Sequence, residues 1–167
     1  CGSDGAVTVW EGCDGLGAAP PRVRHCHAGR DKDGGALAVA LGGDGGLVGA
    51  AFSSSRSVKL WDARSGKLRA EVCSAHGGAA KIRGLALAKR SRLLVTAASD
   101  RLVKFWDVTR AACAPMAPPA LGARRAPSGV LCLCLLSDDL VVSGHHDGCL
   151  RVWDYRSPEP AATIDAH

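Results

Sequence analysis

Several features are missing from this sequence, and each absence closes off a class of protein. The longest apolar runs, Ala36–Leu41 and residues 130–136, fall far below the ~18 residues that cross a bilayer as a helix. The chain does not open with the basic, apolar and small-residue order of a secretory signal. It has no initiator methionine and begins at Cys1, so a piece of a longer protein is expected. Its eight cysteines, at 1, 13, 26, 73, 113, 132, 134 and 149, lack the regular spacing of a disulfide framework, and reduced thiols in a cytoplasmic or nuclear protein are expected. Catalytic signatures are missing too. There is no G-x-S-x-G elbow, H-E-x-x-H pair or kinase motif set. The glycine-rich stretch 42–46 has no Lys-Ser/Thr after it and reads as a hairpin turn, not a phosphate loop. No enzymatic activity and no cofactor is expected.

What is present describes one ordinary globular domain. The 167 residues are 47% hydrophobic and 22% charged, which is not a disordered composition. Net charge is +5. The densest basic cluster, Lys81, Arg83, Lys89, Arg90 and Arg92, reads as a solvated loop and strand face. Neither a nucleic-acid partner nor membrane insertion is expected.

The informative signal is repetition. Tryptophans stand at 10, 61, 106 and 153, each followed by an acid, and the preceding residues match: V-T-V-W-E, V-K-L-W-D, V-K-F-W-D and L-R-V-W-D. Apolar, polar, apolar, Trp, acid is the period-2 alternation of a strand. Asp4, Asp100 and Asp147 each precede their Trp by six residues, and Gly5 and Gly148 follow two of them, the Asp-Gly mark of a tight hairpin. Further strand-like runs come before the turns, at Leu47–Phe52, Leu93–Ala98 and 140–144, and before those at Ala36–Leu41, 82–88 and 130–136. Weaker segments follow the Trp-acid pairs, at 67–72 and 161–164. Each period is thus four short antiparallel strands.

A repeat of this length with four strands and a Trp-Asp end resembles the WD40 β-propeller family. That resemblance implies an all-β propeller fragment of three four-stranded antiparallel blades plus about half a blade. The expected divisions are 1–27 for the end of one blade, then 28–75, 76–122 and 123–165, with 166–167 beginning another. It also implies a buried His, Ser/Thr, Asp, Trp tetrad. The matching residues are His76, Thr96, Asp100 and Trp106 in the third repeat. The fourth repeat keeps Ser143, Asp147 and Trp153 without a histidine some thirty residues ahead; the first keeps Asp4 and Trp10; the second has Ala51 and Ser55 in the hydroxyl and acid slots. Blade three is therefore expected to be more rigid than blades two and four. Propellers close with four to eight blades, so the parent protein is expected to supply more, and the chain alone to be poorly soluble.

Stretches 12–35, in part, and 114–129 read as loop insertions, the latter because of Pro115, Pro118, Pro119 and Pro127. Arg124 and Arg125 are candidates for an acidic partner there. Cys13, His25, Cys26 and His27 lack the paired spacing of a structural zinc site, and Cys132 and Cys134 read as small core residues. His145 and His146 are peculiar to their blade and are candidates for a partner surface. The run from 95 to 110 followed by 140–156, above all S-G-H-H-D-G-C-L-R-V-W-D, resembles the propeller of autophagy-related protein sixteen-like proteins. The repeated W-D-x-R, with Asp62, Arg64, Asp154 and Arg156, resembles substrate receptors of cullin-4 ubiquitin ligases. Both resemblances imply a scaffold that binds proteins or peptides.

Overall fold

The computed structural model describes residues 5–11, 22–27, 33–42, 46–88, 93–108 and 120–166. Fourteen strands occur among them, and no helix. β1 (Ala6–Glu11) pairs with β2 (Arg22–His27) as a two-stranded half-blade. β3 (Ala36–Leu41), β4 (Leu47–Phe52), β5 (Val58–Asp62) and β6 (Leu68–Val72) form blade two in that spatial order. β7 (Ile82–Leu87), β8 (Leu93–Ala98), β9 (Leu102–Asp107) and β10 (Ala120–Arg125) form blade three. β11 (Val130–Leu135), β12 (Leu140–His145), β13 (Cys149–Asp154) and β14 (Ala162–Asp165) form blade four. Every pairing is antiparallel between chain neighbours, the arrangement that short hairpin links permit.

Alternation along each strand sends one set of side chains to each neighbouring blade. From blade two, Val58, Leu60 and Val72 meet Ile82, Leu85, Leu94 and Trp106 of blade three. The opposite face of blade three, with Val95, Val103 and Phe105, packs against Val130, Val141 and Trp153 of blade four. Val7 of the half-blade joins Val48, Phe52 and Trp61. Full burial of one such side chain is worth about 1.5–3 kcal/mol, so these interfaces dominate stability. β8, covered on both faces, is buried along its whole length.

Three expectations need correction. Stretch 114–129 is not all loop: β10 lies within it, because its residues carry no proline and an outermost strand needs only one neighbour. β2 also falls inside 12–35, a stretch expected to be an insertion only in part, and within the 1–27 blade end. The boundary at 122/123 cuts through β10, whose pairing with β9 keeps blade three intact to Arg125. Cys132 and Cys134 are exposed rather than buried. They lie on blade four, where no blade covers the far face among the described residues. Leu136 and Ile164 of that blade are likewise 62% and 52% exposed.

Candidate functional site

In blade three the repeat's polar residues form one relay. The Trp106 indole N–H donates to Thr96 Oγ1 at 3.0 Å, and the Thr96 hydroxyl meets His76 Nε2 at 2.9 Å. His76 Nδ1 lies 2.9 Å from Asp100 Oδ2, and Asp100 Oδ1 accepts the Leu102 amide at 3.0 Å. A neutral imidazole protonated at Nδ1 satisfies every link, since indole only donates and carboxylate only accepts. Burial lowers the His76 pKa, against the raising pull of Asp100, in keeping with that neutral form. The relay ties the loop before β7 to β8 and β9.

Blade four reaches the same result by another route. The Trp153 indole donates to Ser143 Oγ at 2.6 Å, which lies 2.7 Å from His145 Nε2; His145 Nδ1 faces the Ser128 carbonyl at 3.3 Å. His145 is therefore not a surface residue: it is only 4% exposed, and burial lowers its pKa. Ser143 and His145 sit two apart on β12, so they share a face. That i, i+2 spacing is the sequence signal for this relay, in place of a histidine thirty residues upstream of the tryptophan. Asp147 takes no part in this relay. It holds Arg151 through both oxygens at 3.1 and 2.7 Å, and this guanidinium keeps its carboxyl well below the usual carboxylate range. His146 is exposed, and its amide bonds the Gly129 carbonyl at 3.0 Å.

Blade two places Ala51 in the slot that Thr96 and Ser143 fill in the other blades. Trp61 packs edge-on against Phe52, centroids 6.2 Å apart, while Lys59 pairs with Asp33 at 2.6 Å and lies over the Phe52 ring. In the half-blade Trp10 is 61% exposed, and Asp4 lies outside the described residues, as do Cys13, Lys89, Arg90 and Arg92.

The two W-D-x-R acids close turns. Asp62 accepts the Ser65 amide and hydroxyl at 2.8 and 2.9 Å and Arg69 Nη2 at 2.7 Å, and these bonds depress its pKa, Arg69 foremost. Asp154 accepts the Arg156 amide, Nε and Nη2 at 2.9, 2.9 and 3.0 Å. Arg156 also lies over the Tyr155 ring. Arg64 is exposed on the turn that Asp62 organises. Arg124 does not point to a partner: it donates to the Ser157 and Tyr155 carbonyls at 2.5 and 3.0 Å, tying blade three to blade four. Arg125 is exposed. Among the described residues no three His, Cys, Asp or Glu side chains gather as metal ligands.

The family model described as "WD domain, G-beta repeat" matches residues 67–107 and 122–154. The chain belongs to the WD40-repeat family. The first match begins one residue before β6 of one blade and ends at Asp107 of the next, so a WD40 repeat is offset from the blade it builds. A chain of the "Crystal Structure of Mitotic Checkpoint Complex" shares the fold, with TM-score 0.75 at 20% identity over 99% of this chain and 46% of that one. Autophagy-related protein 16 of Arabidopsis thaliana is 32% identical over 119 residues, 70% of this chain and 21% of that protein. The ribosome biogenesis protein WDR12 homolog of Chlamydomonas reinhardtii is 27% identical over 186 residues, all of this chain and 41% of that protein. The DDB1- and CUL4-associated factor 10 of Xenopus laevis is 36% identical over 61 residues, 36% of this chain and 13% of that protein. This WD40 chain thus spans less than half the length of these relatives.

Proposed function

We propose that the chain is the protein-binding platform of a larger, cytoplasmic, non-catalytic scaffold that serves autophagosome assembly. The observation that carries the platform reading is where the reactive residue types go. His76 and His145 are buried in relays inside blades, and Asp100 and Asp147 are tied to side chains of their own blades, which leaves the remaining turn and loop side chains to meet partners. The autophagy reading is supported by 32% identity to the Arabidopsis protein over 119 residues and by the run from Ser143 to Asp154. Affinity capture with crosslinking on the full chain should return protein partners crosslinked to its loops. A fluorescent fusion of the full-length protein should move from diffuse cytoplasm to punctate autophagosomal membranes on nutrient starvation. A distribution indifferent to starvation would refute the pathway while leaving the platform.

A second reading, a substrate receptor of a cullin-4 ligase, is supported by exposed Arg64 on an Asp62-organised turn and by the 36% identity to the Xenopus factor. It predicts capture of DDB1 by the chain, lost in Arg64→Ala/Arg156→Ala. Capture that survives both substitutions argues against it.

A further inference from the structure

The tight turn between the second and third strands of each blade contains a position of positive φ. Glycine fills it in two repeats, as Gly5 (φ 75) and Gly148 (φ 77), at no steric cost. Blades two and three place arginine there instead, Arg56 (φ 52) and Arg101 (φ 68). A β-carbon is strained in that region, and such strain persists where a side chain is wanted for function. Both arginines are exposed.

Other cations gather at the same end of the blades. The Ser99 amide bonds the Lys81 carbonyl at 3.0 Å, and the Ala126 amide bonds the Arg101 carbonyl at 2.8 Å, which brings Lys81 and Arg125 beside the blade-three turn. Arg56 reaches across to the Gly78 carbonyl, in the loop that leads to Lys81. Just inside this rim each innermost strand carries a bulge at one repeated slot, opposite the end of its neighbour. The extra residues there include Arg83 and Leu131, both exposed, and a bulge re-aims its side chain out of the ladder. Three acids of this rim are engaged within the blades, Asp100 with His76, Asp147 with Arg151 and Asp33 with Lys59, while Asp165 lies at the outer edge of blade four, opposite Cys149.

We propose that this end of blades two to four is a docking face for a carboxylate-rich peptide segment of a partner protein. Arg56, Arg101, Lys81, Arg83 and Arg125 receive the carboxylates, and Leu131 receives an apolar residue between them. Guanidinium groups suit this task because they bind carboxylates through paired N–H donors. The proposal rests on the platform reading and deepens it by naming the face and the chemistry.

The test is fluorescence anisotropy of the full chain with a labelled peptide of alternating glutamate and leucine-serine units, against three variants. Arg56→Gly/Arg101→Gly removes two charges while relaxing two strained turns. It should weaken binding at least tenfold with a melting temperature equal to or above the parent's. Arg56→Asn/Arg101→Asn, which also tolerates positive φ, should do the same. Lys67→Glu, at the other end of β5, changes net charge by the same two units and should leave binding intact. The proposal fails if either double variant binds like the parent, or if Lys67→Glu weakens binding as much. It fails equally if the parent prefers single-stranded DNA or phosphatidylserine vesicles to the peptide. Should the peptide go unbound while affinity capture still returns loop-crosslinked proteins, this face is wrong and the platform stands. Should both come back empty, both are wrong.

Discussion

Thr96 and Ser143 hold equivalent positions, each the hydroxyl between an indole N–H and an imidazole nitrogen. Replacing Thr96 with valine keeps the shape and removes both bonds, stranding the Trp106 donor and the His76 acceptor in the interior. Each orphaned group costs ~1–3 kcal/mol, so Thr96→Val should destabilise by about 2–4 kcal/mol in urea titration. Thr96→Ser, which keeps the hydroxyl, should cost clearly less. The two histidines supply a second residue-level effect. Burial lowers both pKa values, so the folded state holds them neutral while the unfolded chain takes up protons below ~6.5. Their contribution is complete above that pH and is lost as pH falls through the folded values. The urea midpoint should therefore drop between pH 7.5 and pH 5.5. In His145→Gln, which can still accept from Ser143, the drop should be shallower, and an unchanged slope would remove His145 from the acid limb.

At the scale of the strand and blade, close approach between β7 and β11 depends on Gly84. A β-carbon there would collide with the Leu133 side chain and come within 3.0 Å of its backbone nitrogen. Gly84→Ala must push blades three and four apart, at the ~1–3 kcal/mol typical of overpacking. Circular dichroism should keep its β signature while the melting transition falls. An undiminished melting temperature would mean the interface can give. Much of this architecture was legible beforehand. The first three strands of each repeat are short apolar or alternating runs bounded by turn residues and a Trp-acid pair, so β3, β4 and β8 fall where those runs stand. β2 and β10 did not show, because an outermost strand packs on one side and tolerates Arg, Gly and Ala in place of an apolar stripe. The His76 relay could be placed through the resemblance to WD40 repeats, whose tetrad pattern matches His76, Thr96, Asp100 and Trp106. The His145 relay could not be traced by linear spacing, since its histidine comes from β12 itself and its last acceptor is a backbone carbonyl.

Across the whole chain, the distribution of relays ranks the blades. Blades three and four each bury a Trp–hydroxyl–His connection, whereas blade two rests on Trp61–Phe52 packing and the Lys59–Asp33 pair. Amide exchange should therefore be slowest in β8 and β9, close behind in β12 and β13, and faster in β4 and β5. That order departs from one in which blade four, lacking an upstream histidine, opens as readily as blade two. The termini of the arc add a second global property. Leu136, just past β11, and Ile164 on one side and Leu37, Val39 and Leu41 on the other are exposed apolar side chains, and patches of this kind seek cover. The 167-residue chain on its own should self-associate as concentration rises, read as a growing sedimentation coefficient. Ile164→Glu combined with Leu41→Glu should return it toward the monomer without shifting the melting temperature downward, because neither side chain is buried. A chain that stays monomeric at every concentration, or variants that associate as strongly as the parent, would show that these faces are already satisfied within one molecule.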